Sequence, residues 1–168
     1  VSKSGVIKAK SSGKTKIIAK ADGVKLVFQV KVVNKRALSA CAKGLKIINS
    51  STYSQARRMS QGYYDCSALV FRAYDCDAGL LGGMPSWAPT AASMAAHLES
   101  TGKVISYTGV DASKLLPGDL IFYSNGRNGR YRNIYHVSMY YGDGYRLEKP
   151  LRAYNRWGNI AMIARPLK

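Results

Sequence analysis

Three side chains far apart in the chain have the types needed for covalent catalysis. Cys66 stands in Tyr63-Tyr64-Asp65-Cys66-Ser67-Ala68-Leu69-Val70-Phe71, where a polar turn gives way to an amphipathic helix pattern. A thiol at that point feels the unpaired N–H groups and the positive end of the helix, which favour the thiolate. A thiolate is a nucleophile, and it needs a general base. The chain has 2 histidines, His97 and His136. His97, in Met94-Ala95-Ala96-His97-Leu98, falls on a helix pattern and reads as a surface or structural residue. His136 falls in the strand pattern Tyr135-His136-Val137-Ser138-Met139-Tyr140-Tyr141. Period two puts His136, Ser138 and Tyr140 on one face and Val137, Met139 and Tyr141 on the other. A histidine on a buried strand needs partners for its ring nitrogens. It therefore has a structural partner or works as a base.

Glu148 is the candidate partner. It follows the turn Gly142-Asp143-Gly144 and the short strand pattern Tyr145-Arg146-Leu147. If all of Gly142-Asp143-Gly144 forms the loop, Tyr141 faces Tyr145, and His136 and Glu148 lie on one face as near-diagonal neighbours. A loop of Asp143-Gly144 alone shifts the register and sends Glu148 to the opposite face. A triad thus asks for the longer loop. A carboxylate on the imidazole would fix its tautomer and favour the imidazolium. The alternative for Glu148 is a surface pair with Arg146 or Lys149.

The elements that must position these groups are legible in outline. Residues 37–49 read as a helix with Leu38, Cys41, Ala42, Leu45 and Ile48 on one stripe. The cysteine helix reads as 66–77, a Gly/Pro-rich loop with Trp87 as 79–89, and a further helix as 90–100, ended by Gly102. Strand patterns follow at 120–123, 135–141, 145–148 and 160–165, with a basic loop over 124–133. Helices first and a meander afterwards imply an α+β fold. Cys66 and Cys76 on one helix would lie about 15 Å apart, too far for a disulfide. Cys41 pairs with Cys76 if their helices pack together; otherwise both are buried thiols. No metal-ligand spacing is present.

Asp65-Cys66-Ser67, then Leu116-Pro117-Gly118-Asp119-Leu120-Ile121-Phe122, then His136-Val137-Ser138-Met139-Tyr140-Tyr141-Gly142-Asp143-Gly144, resembles the NlpC-type family of bacterial cell-wall cysteine peptidases. The likeness spans residues 38–168. It implies a papain-like fold, in which the nucleophile heads a helix packed on an antiparallel sheet that carries the base. It also implies hydrolysis of peptidoglycan stem peptides, commonly between γ-linked D-glutamate and a diamino acid, without metal or organic cofactor. Carried over by position, Cys66 matches the nucleophile, His136 the base and Glu148 the third polar residue, where the family usually has His, Asn or Gln. Tyr53 resembles the family tyrosine whose hydroxyl lies near the reacting carbonyl, and its alternative is a packing role. Asp65 and Ser67 match residues that line the substrate pocket; Asp65 is equally suited to cap the helix. Ala68 and Ser138 stand where the family often has Gly. Ser54-Gln55-Ala56-Arg57-Arg58 replaces its usual Gly-rich stretch, so the pocket rim is expected to differ.

Residues 1–36 have another character. They are lysine-rich, and Gly5-Val6-Ile7-Lys8-Ala9-Lys10, Lys14-Thr15-Lys16-Ile17-Ile18-Ala19-Lys20 and Lys25-Leu26-Val27-Phe28-Gln29-Val30-Lys31-Val32-Val33 read as short strands parted by Gly, Ser and Asp-Gly turns. With Ser4-Gly5-Val6-Ile7-Lys8-Ala9, Gly13-Lys14-Thr15-Lys16-Ile17-Ile18-Ala19 and Val30-Lys31-Val32-Val33, the segment resembles the C-terminal half of a bacterial Ig-like group 2 domain. The division expected is 1–36 and 37–168, joined at Asn34-Lys35-Arg36. Val1 opens inside a strand pattern, which suggests a longer precursor with its secretion signal upstream; the expected setting is secreted or wall-associated. The 168 residues carry a formal charge of +17, which predicts an anionic partner. Wall polymers fit, and a catalytically silent wall-binding module using Arg127, Arg130 and Arg132 is the alternative reading. Nucleic acid fits less well, because the tyrosines fall in core elements and no recognition motif is present. No apolar run reaches the ~20 residues of a membrane span, so no membrane insertion is expected.

Overall fold

A computed structural model describes residue 2 and residues 4–167. Val1, Lys3 and Lys168 lie outside the described residues, and with them the strand pattern expected at Val1. The chain opens with an antiparallel hairpin, β1 (Gly13–Ala21) and β2 (Val24–Val32). Its turn is Asp22-Gly23, both with positive φ, which suits the twist of a two-residue hairpin. The register sorts the side chains by face. Lys14, Lys16, Lys20, Lys25 and Lys31 share one face, and Ile17, Leu26, Phe28 and Val30 share the other. Gly5-Val6-Ile7-Lys8-Ala9-Lys10, expected as a strand, is irregular and joins neither edge of the two-stranded sheet. Lys14 Nζ donates to the Ser113 carbonyl, a contact from the hairpin to the rest of the chain.

Helix α1 (Lys35–Ser50) is capped by Asn34, whose side chain accepts from the Arg36 N–H at 2.9 Å. Its buried face is Ala37, Ala40, Cys41, Gly44 and Ile48, while Leu38 is exposed. The expected stripe is thus rotated toward the small residues. Close approach is the reason: a Cβ on Gly44 would stand 2.6 Å from Leu147 Cδ1. A short parallel pair, β3 (Thr52–Tyr53) and β4 (Tyr63–Tyr64), leads into α2 (Cys66–Ala73). The cysteine helix stops four residues short of the expected 77, since Asp75 and Cys76 take positive φ. One-turn α3 (Ala78–Leu81) lies where a loop was expected, and α4 (Ala91–Ser100) is capped by Thr90. All three cysteines are free, with Cys41 and Cys66 buried and Cys76 half-buried.

The second half is a meander. β5 (Val104–Ser106), β6 (Leu120–Ser124), β7 (Ile134–Gly142), β8 (Tyr145–Arg146), β9 (Arg152–Ala153) and β10 (Ile160–Ala164) form one antiparallel sheet in the order β5-β10-β6-β7-β8-β9. The short strands β5 and β9 carry too little alternation to be read from the sequence. Side chains sort by face as period two requires. Leu120, Phe122, Val137, Met139 and Met162 face the helices, while Ile121, Tyr123, Tyr140, Ile160 and Ile163 form a second apolar cluster. Helices α2 and α4 both pack on β7. The architecture is therefore α+β, with helices laid on an antiparallel sheet.

The Leu116-Pro117-Gly118-Asp119 turn locks β6 to the helices. Gly118 has φ +92°, and a Cβ there would lie 2.6 Å from Tyr74 Oη. Tyr74 instead donates to the Gly118 carbonyl at 2.8 Å. Asp119 is buried, accepts from the Leu116 N–H and receives a bidentate pair from Arg165, both contacts 2.8 Å. Among the described residues, no helix is long and apolar enough to cross a membrane, and no His, Cys, Asp or Glu group is arranged to hold a metal ion.

Candidate active site

Cys66 is the first residue of α2, and the local sequence fixes it there. Asp65 has extended backbone and its Oδ1 accepts from the Ala68 N–H at 2.8 Å, closing the helix start. The next residues, Cys66 to Phe71, are all buried, so α2 is held on every side. The sulfur sits at the exposed end: Cys66 is 9% accessible and borders two cavities. One, of about 370 Å³, is lined by Ser51, Tyr53, Leu69, His136, Glu148 and Lys149 among others. The other, of about 180 Å³, is lined by Arg58, Asp65, Ser67, Arg130 and Tyr135 among others.

The strand β7 brings His136 to the sulfur. Tyr123 pairs with His136 and Ser124 with Ile134, so Tyr135 is an extra residue in β7. Ile134 and Val137 consequently both face the helices, and the bulge re-aims His136 between them. The imidazole and Cys66 line the same cavity and are close enough for each to shift the other's ionisation. The imidazole Nε2 is 3.3 Å from Glu148 Oε1, which leaves Nδ1 for the sulfur. The rings of Tyr123 and Tyr135 flank it at 5.6 and 6.0 Å.

Glu148 reaches His136 by a route the sequence did not show. The hairpin turn is Asp143-Gly144 alone, with Gly142 opposite Tyr145. The longer loop expected from the triad is therefore absent. Tyr141 bulges instead, and Tyr140 pairs with Arg146. The Leu147 N–H donates to the Met139 carbonyl at 2.8 Å, which carries the restored register on toward Glu148. The bulge supplies the one-residue offset assigned to the loop, and Glu148 returns to the His136 face. The two readings of Glu148 also merge. Besides His136, its carboxylate meets Arg146 and, through Oε2, Arg152 Nε at 3.2 Å. Lys149 instead donates to the Ser51 carbonyl.

Electrostatics follow from this chain of contacts. Burial alone would raise the Cys66 thiol; the hydrogen bond and charge of His136, with the Val137 N–H, outweigh it and hold Cys66 below its ordinary value. Burial alone would lower His136; Cys66 and Glu148 raise it to about 9. Burial works against ionisation of Glu148, yet His136, Arg146 and Arg152 keep it below the usual carboxylate range. The site thus favours a thiolate–imidazolium pair at neutral pH. Cys41 shows the contrast, since burial pushes its thiol up to about 12.

The remaining expected residues gather around the sulfur. Tyr53 is half-exposed on β3, its ring edge-on to Tyr64 at 5.6 Å. Its hydroxyl neighbours Cys66, and burial with the nearby Cys66 and Asp65 charges pushes it up to about 12. Asp65 both caps α2 and lines the smaller pocket. Its partner there is Arg58, with Nε 3.1 Å from Oδ2. Arg58 also donates to Ser67 Oγ at 2.8 Å and to the Pro89 carbonyl at 2.9 Å. The sequence flagged Arg58 only as a change in the rim; its pairing with the acid before the cysteine was the missed signal. His97 bonds the Gly79 carbonyl at 3.1 Å, a structural contact between α4 and α3.

A thiol, an imidazole, a carboxylate behind the imidazole and a tyrosine hydroxyl near the thiol are groups with the chemistry for substitution at a carbonyl. The sequence pattern of the NlpC/P60 family matches residues 50–157. No curated protein matches the chain. Solved structures do: NlpC1 from Trichomonas vaginalis, with TM-score 0.54 and 19% identity over 93% of this chain and 55% of that one. NlpC2 from the same organism follows, with TM-score 0.51 and 19% identity over 88% and 52%. An NlpC/P60 family protein from Bacillus cereus ATCC 10987 has TM-score 0.51 and 17% identity over 96% and 53%. At these identities the likeness speaks to the papain-like fold, and the chain spans about half the length of those structures. The matched stretch runs through Cys66, His136 and Glu148 alike, and the chain belongs to the NlpC/P60 family.

Proposed function

We propose that this chain is a peptidoglycan hydrolase, a thiol-dependent endopeptidase that cuts stem peptides at the γ-D-glutamyl–diamino acid bond. Family membership supports a cell-wall peptidase. The observation that carries the catalytic assignment is the position of His136 between Cys66 and Glu148 beside an open cleft. The Cys66 thiolate attacks the scissile carbonyl carbon. The Cys66 N–H and the Tyr53 hydroxyl donate to the oxyanion. The imidazolium of His136 gives its proton to the leaving amine as the C–N bond breaks. A water then loses a proton to His136, attacks the thioester and releases the acid, restoring the thiolate. Glu148 holds the ring and its charge; Asp65 and Ser67 shape the acyl-side wall. No step needs a metal or an organic cofactor.

Residues 37–168 would form this catalytic unit, and residues 1–36 an Ig-like segment whose lysine face contacts anionic wall polymers. The substrate sets the location as secreted or wall-associated. Mass spectrometry of defined muropeptides is the test. The wild-type protein should release the acyl dipeptide, and Cys66→Ala should abolish release while leaving sedimentation with cell walls intact. Cleavage retained in Cys66→Ala overturns the assignment.

A further inference from the structure

We propose that Arg130 is a specificity-determining residue that reads a carboxylate on the acyl side of the scissile bond. The protein would then prefer stems whose D-glutamate keeps a free α-carboxylate over stems in which that group is an amide. This inference rests on the stem-peptide reading above.

Sidedness comes from the proton that must be delivered. His136 protonates the leaving amine, so the leaving residue occupies the cavity that His136 lines. The acyl residue falls to the other side of Cys66, in the pocket with Arg58, Asp65, Ser67 and Arg130. Charges there do not balance. Arg58 and Asp65 neutralise each other at 3.1 Å, and Arg58 spends further donors on Ser67 and Pro89. Arg130 is exposed and has no ion pair among the described residues. Its backbone is nonetheless held. The Arg130 N–H donates to Asn128 Oδ1 at 3.0 Å, the Asn133 N–H donates to the Arg130 carbonyl at 2.9 Å, and Asn128 Nδ2 bonds the Asn133 carbonyl at 2.8 Å.

The pocket that Cys66 borders is therefore also lined by an arginine whose charge no carboxylate opposes among the described residues. A γ-linked glutamyl residue carries its α-carboxylate a short carbon chain from the reacting carbonyl. A guanidinium fork can donate to both oxygens of a carboxylate. An amide offers a single acceptor oxygen and sets its own NH₂ against the arginine.

The test uses paired synthetic stem peptides, identical except for carboxylate or carboxamide at that carbon. Wild-type kcat/KM should favour the carboxylate by about tenfold. Arg130→Gln should erase the difference by slowing the carboxylate peptide alone. Calorimetric binding to Cys66→Ser should show the same preference, and its loss when Arg130→Gln is added. Equal treatment of both peptides by the wild type, or an Arg130→Gln loss shared by both, overturns the proposal. Binding preference without cleavage sustains the carboxylate assignment and overturns the hydrolase reading; cleavage without preference does the reverse.

Discussion

Replacing Glu148 with Gln isolates what the third residue does. The substitution keeps the shape and removes one negative charge 3.3 Å from His136 Nε2. The side chains are 25% and 21% accessible, so the pair is only partly screened. At an effective dielectric of ~20 the bare attraction at that distance is about 5 kcal/mol. Desolvation of both groups offsets much of it, and a net of about 1.5–3 kcal/mol suits a charged hydrogen bond. That equals roughly one to two pH units on the imidazolium. Arg146 and Arg152, left without their counter-charge, push in the same direction. The sign is fixed by the raised His136 value of about 9. The imidazolium that protonates the leaving amine is present below about 9 and lost above it. In Glu148→Gln the high-pH limb of kcat/KM should fall to about 7–8, and activity at pH 8.5 should drop about fourfold to thirtyfold relative to the variant's own maximum. Initial rates of muropeptide cleavage from pH 5 to 10 measure this. A high-pH limb that stays near 9 would refute the reasoning, because Glu148 would then not sustain the charge on His136.

Tyr53→Phe should lower kcat about a hundredfold with little change in KM, since it removes one oxyanion donor; steady-state kinetics on one stem peptide check it. Iodoacetamide should alkylate Cys66 at pH 6.5 much faster than Cys41 or Cys76, as the first thiol is held low and the others are pushed up; peptide mapping by mass spectrometry reads the order. Asp65→Ala should cost about 3–5 kcal/mol in urea unfolding, because it strands the buried Arg58 charge and uncaps α2. Gly44→Ala should cost about 1–3 kcal/mol and also slow catalysis, because the added methyl meets Leu147, the neighbour of Glu148; thermal melts and rates on the same preparation test both halves.

The chemistry was more legible in the sequence than the framework. Cysteine and histidine are scarce, so Cys66 and His136 stand out, and a capping acid before an apolar run marks the start of α2. Long alternating strands were equally plain at β6 and β7. What escaped was decided by packing between elements. The buried stripe of α1 follows from how closely Gly44 approaches Leu147, a contact between residues far apart in the chain. The early end of α2 depends on Asp75 and Cys76 entering left-handed backbone, for which their residue types give only a weak signal. Arg58 looked like a change of pocket rim until its fold-mate Asp65 was placed beside it. The bulge at Tyr141 was not legible because a bulge and a longer loop have the same effect on facing, and only backbone pairing distinguishes them.

That bulge makes the stretch between base and carboxylate behave like a reading frame. Tyr141 is the residue in excess: removing it would leave Gly142 opposite Tyr145 and Tyr140 opposite Arg146 as they are now. Removing any one of Tyr140, Tyr141 or Gly142 gives the same unbulged pairing, whereas a one-residue change made with the bulge kept would throw Glu148 out of phase with His136. A shortening by one residue is therefore absorbed where the bulge can be surrendered and ruinous where it cannot, a parity constraint on how this hairpin can be shortened by evolution or by design.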